Sequence, residues 1–483
     1  MGERFNHRIV LTVLSRSLFI IAISFVLCIG VALIYSESII SFSFSFFIAI
    51  GLSGLFILLA GKKREGVTIN RKDAYLTVTL SWLLMSLIGC LPYMFSGSIP
   101  SFVDAFFESI SGFSTTGSSI LVDIEVLPMS VLFWRSLTHW IGGIGIIVLV
   151  IIVMPTLRMG SYHLFTLESS LQDKIQPRII SVGKRIVLIY VALTAAEVVL
   201  LMLGNMNLFE SVCHAFGTVA TGGFSPKNTS ISNYSPYIQY VITIFMFLAG
   251  TNFVVHYYLF KRDFKRVKAN EEFWFYLLVT FIIGAIVTAT LYFKMNKPFE
   301  ESFREAYFQV ISIITCTGFA SADYLLWPVF GWAIIFLCMF LGGSTGSTAG
   351  GIKMARHLVL LKNFQRIIRN SLSRNAVIPL KINNHTITED TNNSILTFIT
   401  VYFLIFLAGS SALLFLGLDV KTASSSVATC MAGIGPGLGT VGPVSNFAHL
   451  PDMAKIILSF MMLVGRLEIY TVLLLFSRNF WAK

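Results

Sequence analysis

Ser114-Thr115-Thr116-Gly117-Ser118-Ser119 is a charge-free turn set between two hydrophobic stretches. Three further segments repeat its design: Ala220-Thr221-Gly222-Gly223-Phe224-Ser225, Thr315-Cys316-Thr317-Gly318-Phe319-Ala320 and Ala432-Gly433-Ile434-Gly435-Pro436-Gly437. Each follows a short amphipathic stretch and precedes a long apolar one. Facing lipid, such a turn leaves backbone N–H and C=O groups unpaired, which is tolerated only where the turn is buried in protein or lines a water-filled path. Four of them predict the wall of one pore. Any single turn reads as a helix stop with glycine just past the end; four at matching places in four matching units carry the pore reading.

Over the whole chain 55% of the residues are hydrophobic and 12% charged, with apolar runs longer than a soluble core helix needs, so the chain reads as a polytopic membrane protein. Residues 9–35 are too long for a signal-peptide core and no A-x-A pattern closes them, so they read as a retained first span. The net charge of +11 raises the question of a nucleic-acid partner, but its location answers against one. The basic residues gather in Lys62-Lys63-Arg64, Arg71-Lys72, Lys184-Arg185, Lys261-Arg262 with Lys265, Arg266 and Lys268, and the run 353–381. Each cluster falls in an alternate connection, as the positive-inside rule requires. The excess is a topology signal and a lure for anionic lipid or an acidic partner. The six cysteines stand singly, with no CxxC or Cys/His pairing, and predict buried reduced thiols.

Residues 9–35 and 39–61 form an N-terminal hairpin that reads as a lipid-facing anchor or oligomer contact. From residue 74 a period of roughly 100 residues sets the architecture. The first unit takes 74–95 as outer span, 102–113 as a stretch too short to cross, the turn at Gly117 and the inner span 131–154. The second takes 186–203, 208–219, the turn at Gly222 and 237–260; the third 273–293, 303–314, the turn at Gly318 and 329–361; the fourth 395–416, 422–431, the turn at Gly435 and 453–480. The fold class is thus an all-α polytopic membrane protein. It has four pseudo-symmetric span/pore-helix/span repeats around one central pore, plus the two-helix hairpin. About ten spans leave both termini in the cytoplasm. The corresponding domains are 1–65 (hairpin), 66–160, 161–268, 269–375 (with a gating loop) and 376–483.

A helix that enters from outside and stops halfway directs its carbonyl end, a partial negative charge, at the pore centre and favours a cation. Glycine supplies the left-handed backbone that lets successive carbonyls face one way, and rings of backbone carbonyls replace the hydration shell of K⁺. The turns hold no Asp or Glu, against a calcium-type acidic ring, and no Lys or Arg, against an anion pore.

The sequence resembles the membrane subunit of the Trk/Ktr/HKT potassium-uptake superfamily, most closely its bacterial TrkH/TrkG type, which carries the extra N-terminal hairpin. The stretches that carry the resemblance span most of the chain. They are His139-Trp140-Ile141-Gly142-Gly143-Ile144-Gly145, His214-Ala215-Phe216 leading into the second turn, Gly250-Thr251-Asn252-Phe253, Gly342-Gly343-Ser344-Thr345-Gly346-Ser347-Thr348-Ala349-Gly350-Gly351-Ile352-Lys353, and Gly435-Pro436-Gly437-Leu438-Gly439. The resemblance implies K⁺ passage through a filter made by the four turns, here Thr115, Thr116, Gly117; Ala220, Thr221, Gly222; Cys316, Thr317, Gly318; and Ile434, Gly435, Pro436. Its glycines map to Gly117, Gly222, Gly318 and Gly435. The chain departs from relatives at Ala432-Gly433, where they often carry Asn.

The glycine-rich run 342–353 lies inside what should be a continuous span, and its Gly, Ser and Thr residues remove helix propensity. It predicts a broken helix whose loop lies across the cavity on the cytoplasmic side of the filter. Gly342, Gly343, Gly346, Ser347, Thr348, Gly350, Gly351 and Lys353 form this candidate gate, and the resemblance says the same of it. A phosphate loop is the weaker reading, because the G-x-x-x-x-G-K-[ST] order is absent and no strand precedes the run; close helix packing through small residues is the blander one.

Arg466 sits near the middle of the last span, where an ionised group needs water or a partner. It reads as an electrostatic barrier below the filter, as the resemblance also implies, or else as half of an ion pair with Glu197 or Glu468. Arg135 reads as snorkelling to the headgroups. Asp104 and Glu108 read as a vestibule at the start of a pore helix, and His139, His214 and His256 as packing or interface residues.

The residues therefore favour a gated K⁺ conduction pathway, and the resemblance implies that it lies in the bacterial inner membrane. The alternatives are a K⁺ symporter coupled to H⁺ or Na⁺, with Glu197 as its titratable group, and a membrane-embedded enzyme, for which no carboxylate cluster or nucleophilic triad is visible. No cofactor beyond the potassium ion is implied. The resemblance implies a homodimer with one pore per protomer, working with a cytosolic nucleotide-binding subunit of the TrkA type docked on the basic loops.

Overall fold

A computed structural model of the chain describes residues 6–61, 70–148, 175–372 and 378–481. The Lys62-Lys63-Arg64 cluster, the expected end of the first inner span (149–154) and the boundaries at 65/66, 160/161 and 375/376 lie outside the described residues. Apart from a small hairpin pairing Lys381–Ile382 with His385–Thr386, the secondary structure described is helical.

Among the described residues, six helices are long and apolar enough to cross a membrane: His7–Ile34, Ile40–Ala60, Lys72–Phe95, Gly183–Leu203, Glu271–Met295 and Glu389–Phe415. The count rises to 8 if each of two bent pairs is one span. The other two expected spans differ in kind. Met129–Val148 buries Arg135, Ser136, Thr138 and His139 against protein, and the helix expected over 329–361 is interrupted.

The hairpin helices interlock through Ser15 and Ser53, each hydroxyl donating to the other's carbonyl (2.8 and 2.9 Å), a close approach that small residues permit. One face of the hairpin is open, with Phe19, Ile23, Phe47 and Leu58 exposed. The other is part of the core: Phe25 packs 4.7 Å from Trp134. Glu37 accepts from the Met129 and Ser130 amides (2.6 and 3.0 Å) and so caps the first inner span, whose opening N–H groups lack intrahelical acceptors. Reading the hairpin as a peripheral anchor misses this long-range cap.

Four short helices, Phe102–Phe113, Leu208–Val219, Phe299–Ile314 and Val420–Ala432, stand where the pore stretches are expected; the third begins four residues earlier than the sequence suggests. At about 1.5 Å per residue none crosses a ~30 Å hydrocarbon core. Three are started by a side-chain cap, Ser101, Asn207 and Asp419 accepting from the amides of Asp104, Glu210 and Thr422. The third instead follows Pro298 and carries Glu300 and Glu301 in its first turn, where acids complement the helix dipole.

Two inner spans expected to be continuous are bent. Pro236–Ala249 turns by 102° into Phe253–Phe260, and Asp452–Arg466 by 116° into Ile469–Phe476. The first bend falls at Gly250-Thr251-Asn252, where the Asn252 side chain restarts the helix by accepting from the Val254 amide (2.8 Å). The second falls at Leu467-Glu468, with Glu468 in the left-handed region at φ +57°. Arg466 is therefore the last residue of its helix rather than the middle of a span. The third inner span is broken as its glycines predict, into Val329–Cys338 and Met354–Leu372.

Candidate functional site

Each short helix ends in the same backbone hydrogen bond. The amides of Thr116, Gly222, Thr317 and Ile434 reach back to the carbonyls of Ser111, Gly217, Ser312 and Thr429 (2.9, 2.8, 2.8 and 3.0 Å), the six-to-one bond of a Schellman stop. Two left-handed residues accompany each: Thr115 and Gly117, Thr221 and Gly223, Cys316 and Gly318, Gly433 and Gly435. The helix-stop reading of a single turn is therefore correct locally, and the four stops are built in one register. That register aligns Gly223, not Gly222, with Gly117, Gly318 and Gly435. Gly222 takes the place of Thr116, Thr317 and Ile434, which moves the expected second glycine by one residue.

The four turns also meet one another in a closed ring. A Cβ on Gly117 would lie 2.1 Å from the Gly222 carbonyl oxygen, one on Gly223 2.0 Å from that of Thr317, one on Gly318 1.7 Å from that of Ile434, and one on Gly435 3.0 Å from that of Thr116. Every step runs from the second left-handed residue of one turn, a glycine in each, to the equivalent carbonyl of the next, and the fourth step returns to the first turn. A side chain has no room at Gly117, Gly223 or Gly318 and only a tight fit at Gly435, and their φ of +80° to +104° disfavours one at all four.

Each chain leaving the ring is tied back to its own short helix. Glu108 accepts from Ser119 Oγ and the Ile120 amide (3.0 Å each); His214 Nε2 pairs with Ser225 Oγ (3.1 Å). Ser312 Oγ donates to the Phe319 carbonyl (2.7 Å) and Thr429 Oγ1 to that of Pro436 (3.0 Å). Beside these segments a cavity of about 160 Å³ is lined by Gly117, Gly223, Gly318 and Gly435. At its rim Lys227 lies 3.4 Å from both Glu125 and Glu210. Asp419, at the exposed start of the fourth short helix, has its carboxyl held below the usual carboxylate range by hydrogen bonding to the Thr422 side chain.

Two expectations about charges are corrected. Arg135 does not snorkel: it is buried and donates through Nε to Glu108 (2.8 Å), with its guanidinium 4.2 Å from the Phe224 ring centre. Glu108 is accordingly a buried structural partner rather than a vestibule acid, and Asp104 pairs with Lys455 (2.5 Å). His139 is a packing residue, its ring 4.1 Å from Phe224, and His214 and His256 each hydrogen-bond a backbone carbonyl. All six cysteines are buried and free.

The glycine-rich loop is wedged against the other side of the turns. Thr348 Oγ1 donates to the Val219 carbonyl at the end of the second short helix (3.0 Å) and to that of Ala249 (3.3 Å). A Cβ on Gly350 would stand 2.0 Å from the Ala432 carbonyl oxygen at the end of the fourth short helix. Gly342 and Gly343 meet the loop's own returning chain near Gly350 and Ala349. The Gly346 carbonyl accepts from the Phe253 amide (3.3 Å), Ser347 Oγ donates to Ser344 O (2.6 Å), Gly351 is left-handed, and Lys353 Nζ donates to Ala349 O. Arg466 pairs with neither Glu197 nor Glu468. It donates to two backbone carbonyls, Thr348 O in the loop (2.9 Å) and Gly142 O in the first inner span (3.1 Å); Glu468 instead pairs with Arg356. Sequence reasoning misses Glu272, whose buried Oε1 accepts from the Thr345 and Ala355 amides (2.6 and 3.0 Å) and so holds both ends of the loop. The missed Gly223 has a signal: matching Gly223-Phe224 to Gly318-Phe319 gives the observed register.

The TrkH family, cation transport proteins, matches residues 38–483. The Trk system potassium uptake protein TrkH of Escherichia coli strain K12 is 36% identical over 461 residues, covering 94% of this chain and 95% of that one. The Trk system potassium uptake protein TrkI of Halomonas elongata is 35% identical over 446 residues, 90% of each. The crystal structure of the potassium transporter TrkH from Vibrio parahaemolyticus superposes with a TM-score of 0.90 at 29% identity, covering 98% of this chain and 99% of that one. The chain belongs to the TrkH family of cation transport proteins.

Proposed function

We propose that this multi-pass membrane protein is the pore subunit of a Trk-type potassium uptake system, passing K⁺ through the ring of four turns. The observation that carries the reading is the ring's construction: four helix ends in one register, each glycine against the next turn's carbonyl. Backbone oxygens so arranged can replace a cation's hydration shell, and four helix C-termini add partial negative charge. The filter comprises residues 115–117, 221–223, 316–318 and 433–435, the carbonyls beside the four glycines being its innermost ligands. The loop 342–353 is the gate and Arg466 its electrostatic barrier, since the loop and a fixed positive charge stand together on one side of the ring. The proposed units remain 1–65, 66–160, 161–268, 269–375 and 376–483. The protein is a transporter rather than an enzyme, sits in the inner membrane with both termini in the cytoplasm, forms a homodimer, and takes its regulation from a TrkA-type cytosolic subunit bound at the basic loops.

K⁺ and Na⁺ flux into proteoliposomes containing this chain alone, under an imposed potential with the pH gradient clamped, tests the proposal. Passive K⁺-selective flux, made Na⁺-permeable by Gly223→Ala and raised by Arg466→Gln, is the expected result. A second reading, coupled symport, draws on Glu197: it is fully buried, and the one side chain that approaches its carboxyl among the described residues is Thr218, without a hydrogen bond of ordinary geometry. Uptake that appears only when a proton or Na⁺ gradient is supplied, and disappears in Glu197→Gln, overturns the channel reading in its favour.

A further inference from the structure

The chains leaving the ring are joined to one another close to the turns. Ser118 Oγ donates to Gly435 O (3.0 Å) between the first and fourth, the Ile231 amide to Ala320 O (3.0 Å) between the second and third, and Tyr324 OH to Gly437 O (2.7 Å) between the third and fourth. These joints are neutral. The joint between the first and second is ionic. Arg135 donates through Nε to Glu108 (2.8 Å), through one terminal nitrogen to Ser225 O (3.2 Å) and through the other to Ser119 Oγ (3.3 Å). Its planar face covers Phe224, the residue after Gly223, and His139 lies 4.1 Å from the same ring.

We propose that the buried Arg135–Glu108 pair is a selectivity-positioning element: it fixes the seam between the first and second turns and thereby the ring's discrimination of K⁺ from Na⁺. The inference rests on the reading of the ring as a K⁺ filter. Three donors in one rigid plane are matched to acceptors on two different units, an arrangement a lysine's single ammonium cannot reproduce. Glu108 in turn holds both Ser119 and Ile120, so the pair grips the exit of the first turn from one side and the backbone beyond the second from the other. Stability alone is a poor explanation, because a buried ion pair is often replaceable by apolar side chains without loss. A fixed charged fork at one seam of a filter makes sense as geometry control.

The test is the Na⁺/K⁺ permeability ratio from bi-ionic reversal potentials, measured on the full chain in planar bilayers, with the amount of folded protein monitored in parallel. Arg135→Lys should raise the ratio by about tenfold, the scale on which losing one discriminating contact separates similar substrates. Ser119→Ala, which removes a single hydroxyl from the fork, should raise it in the same direction by less, and decides the matter if Arg135→Lys does not fold. Flux of both ions falling together, in proportion to folded protein and at the native ratio, overturns the proposal. A native chain without K⁺ preference removes the filter reading and this inference with it; a selective native chain with unaltered variants removes the inference alone.

Discussion

Replacing Gly350 by alanine adds one methyl group where the glycine-rich loop touches the fourth short helix. The new Cβ would stand 2.0 Å from the Ala432 carbonyl oxygen and 3.0 Å from its carbon, so the two backbones must part by roughly an ångström before ordinary contact is restored. Gly350 is not in the left-handed region, so the substitution acts by contact alone. Ala432 ends a buried helix whose turn is pinned by the Gly433 and Ile434 amides donating to Thr429 O (2.8 and 3.0 Å), and it belongs to the ring. The loop is held by a handful of separate hydrogen bonds, and segments so held open first. The loop should therefore yield. Overpacking of this kind costs about 2 kcal/mol, which shifts the ratio of displaced to seated loop by about thirtyfold. Passive K⁺ flux in proteoliposomes should rise correspondingly, with K⁺ preference retained. Gly54→Ala, where nothing lies within 4 Å of the added carbon, should leave flux unchanged. Flux in Gly350→Ala that equals or falls below the native value refutes the argument. A fall accompanied by lost selectivity would mean that the pore turn, not the loop, gives way.

Gly222 and Gly223 should respond differently to rescue. A Cβ on Gly222 would collide with His139 Nδ1 at 1.4 Å, so Gly222→Ala should lose selectivity alone and regain it with His139→Ala, a coupling of about 2 kcal/mol in a double-mutant cycle. Gly223→Ala meets the Thr317 backbone at 2.0 Å from a φ of +80°, and truncating the Thr317 side chain should not restore it; rescue there would show the register to be wrong. Glu272→Gln should weaken two charge-assisted bonds at the loop ends, costing about 1–2 kcal/mol. Hydrogen exchange at the Thr345 and Ala355 amides should then accelerate by about tenfold while K⁺ flux rises; unchanged exchange would remove Glu272 from the loop's support.

The turns and the loop are legible from residues because their causes are local. Thr, Ser and Gly end a helix wherever they cluster, so the four stops and the break before Met354 follow from the sequence alone. The same locality explains the slip at the second turn: two adjacent glycines both satisfy the rule, and only comparison with Gly318-Phe319 separates them. The bend at Gly250-Thr251-Asn252 carries a weak signal of this type, overridden in reading by the apolar residues on both sides. The bend after Arg466 has almost none. It is driven from outside the segment, by the close approach of Gly465 to the Met431 backbone, where a Cβ would lie 1.9 Å from the carbonyl oxygen, and by the pairing of Glu468 with Arg356.

The charged groups follow one logic that single-segment reading does not reach. A sequence states that Arg135 or Arg466 needs a partner in the membrane, and the natural search is for a carboxylate. For Arg135 that search succeeds at Glu108, on the neighbouring short helix. For Arg466 it fails, because the architecture supplies another acceptor. Interrupted helices and irregular loops leave carbonyls without intrahelical donors, and the loop offers one at Thr348; the first inner span adds that of Gly142. The feature that breaks the third span thus provides a place for the charge ending the fourth. Loop and arginine form a single unit, so Arg466→Gln should loosen the loop as well as remove a positive charge. Hydrogen exchange in 343–353 would separate the two effects: acceleration there marks a mechanical tie, and unchanged exchange with raised flux a purely electrostatic barrier.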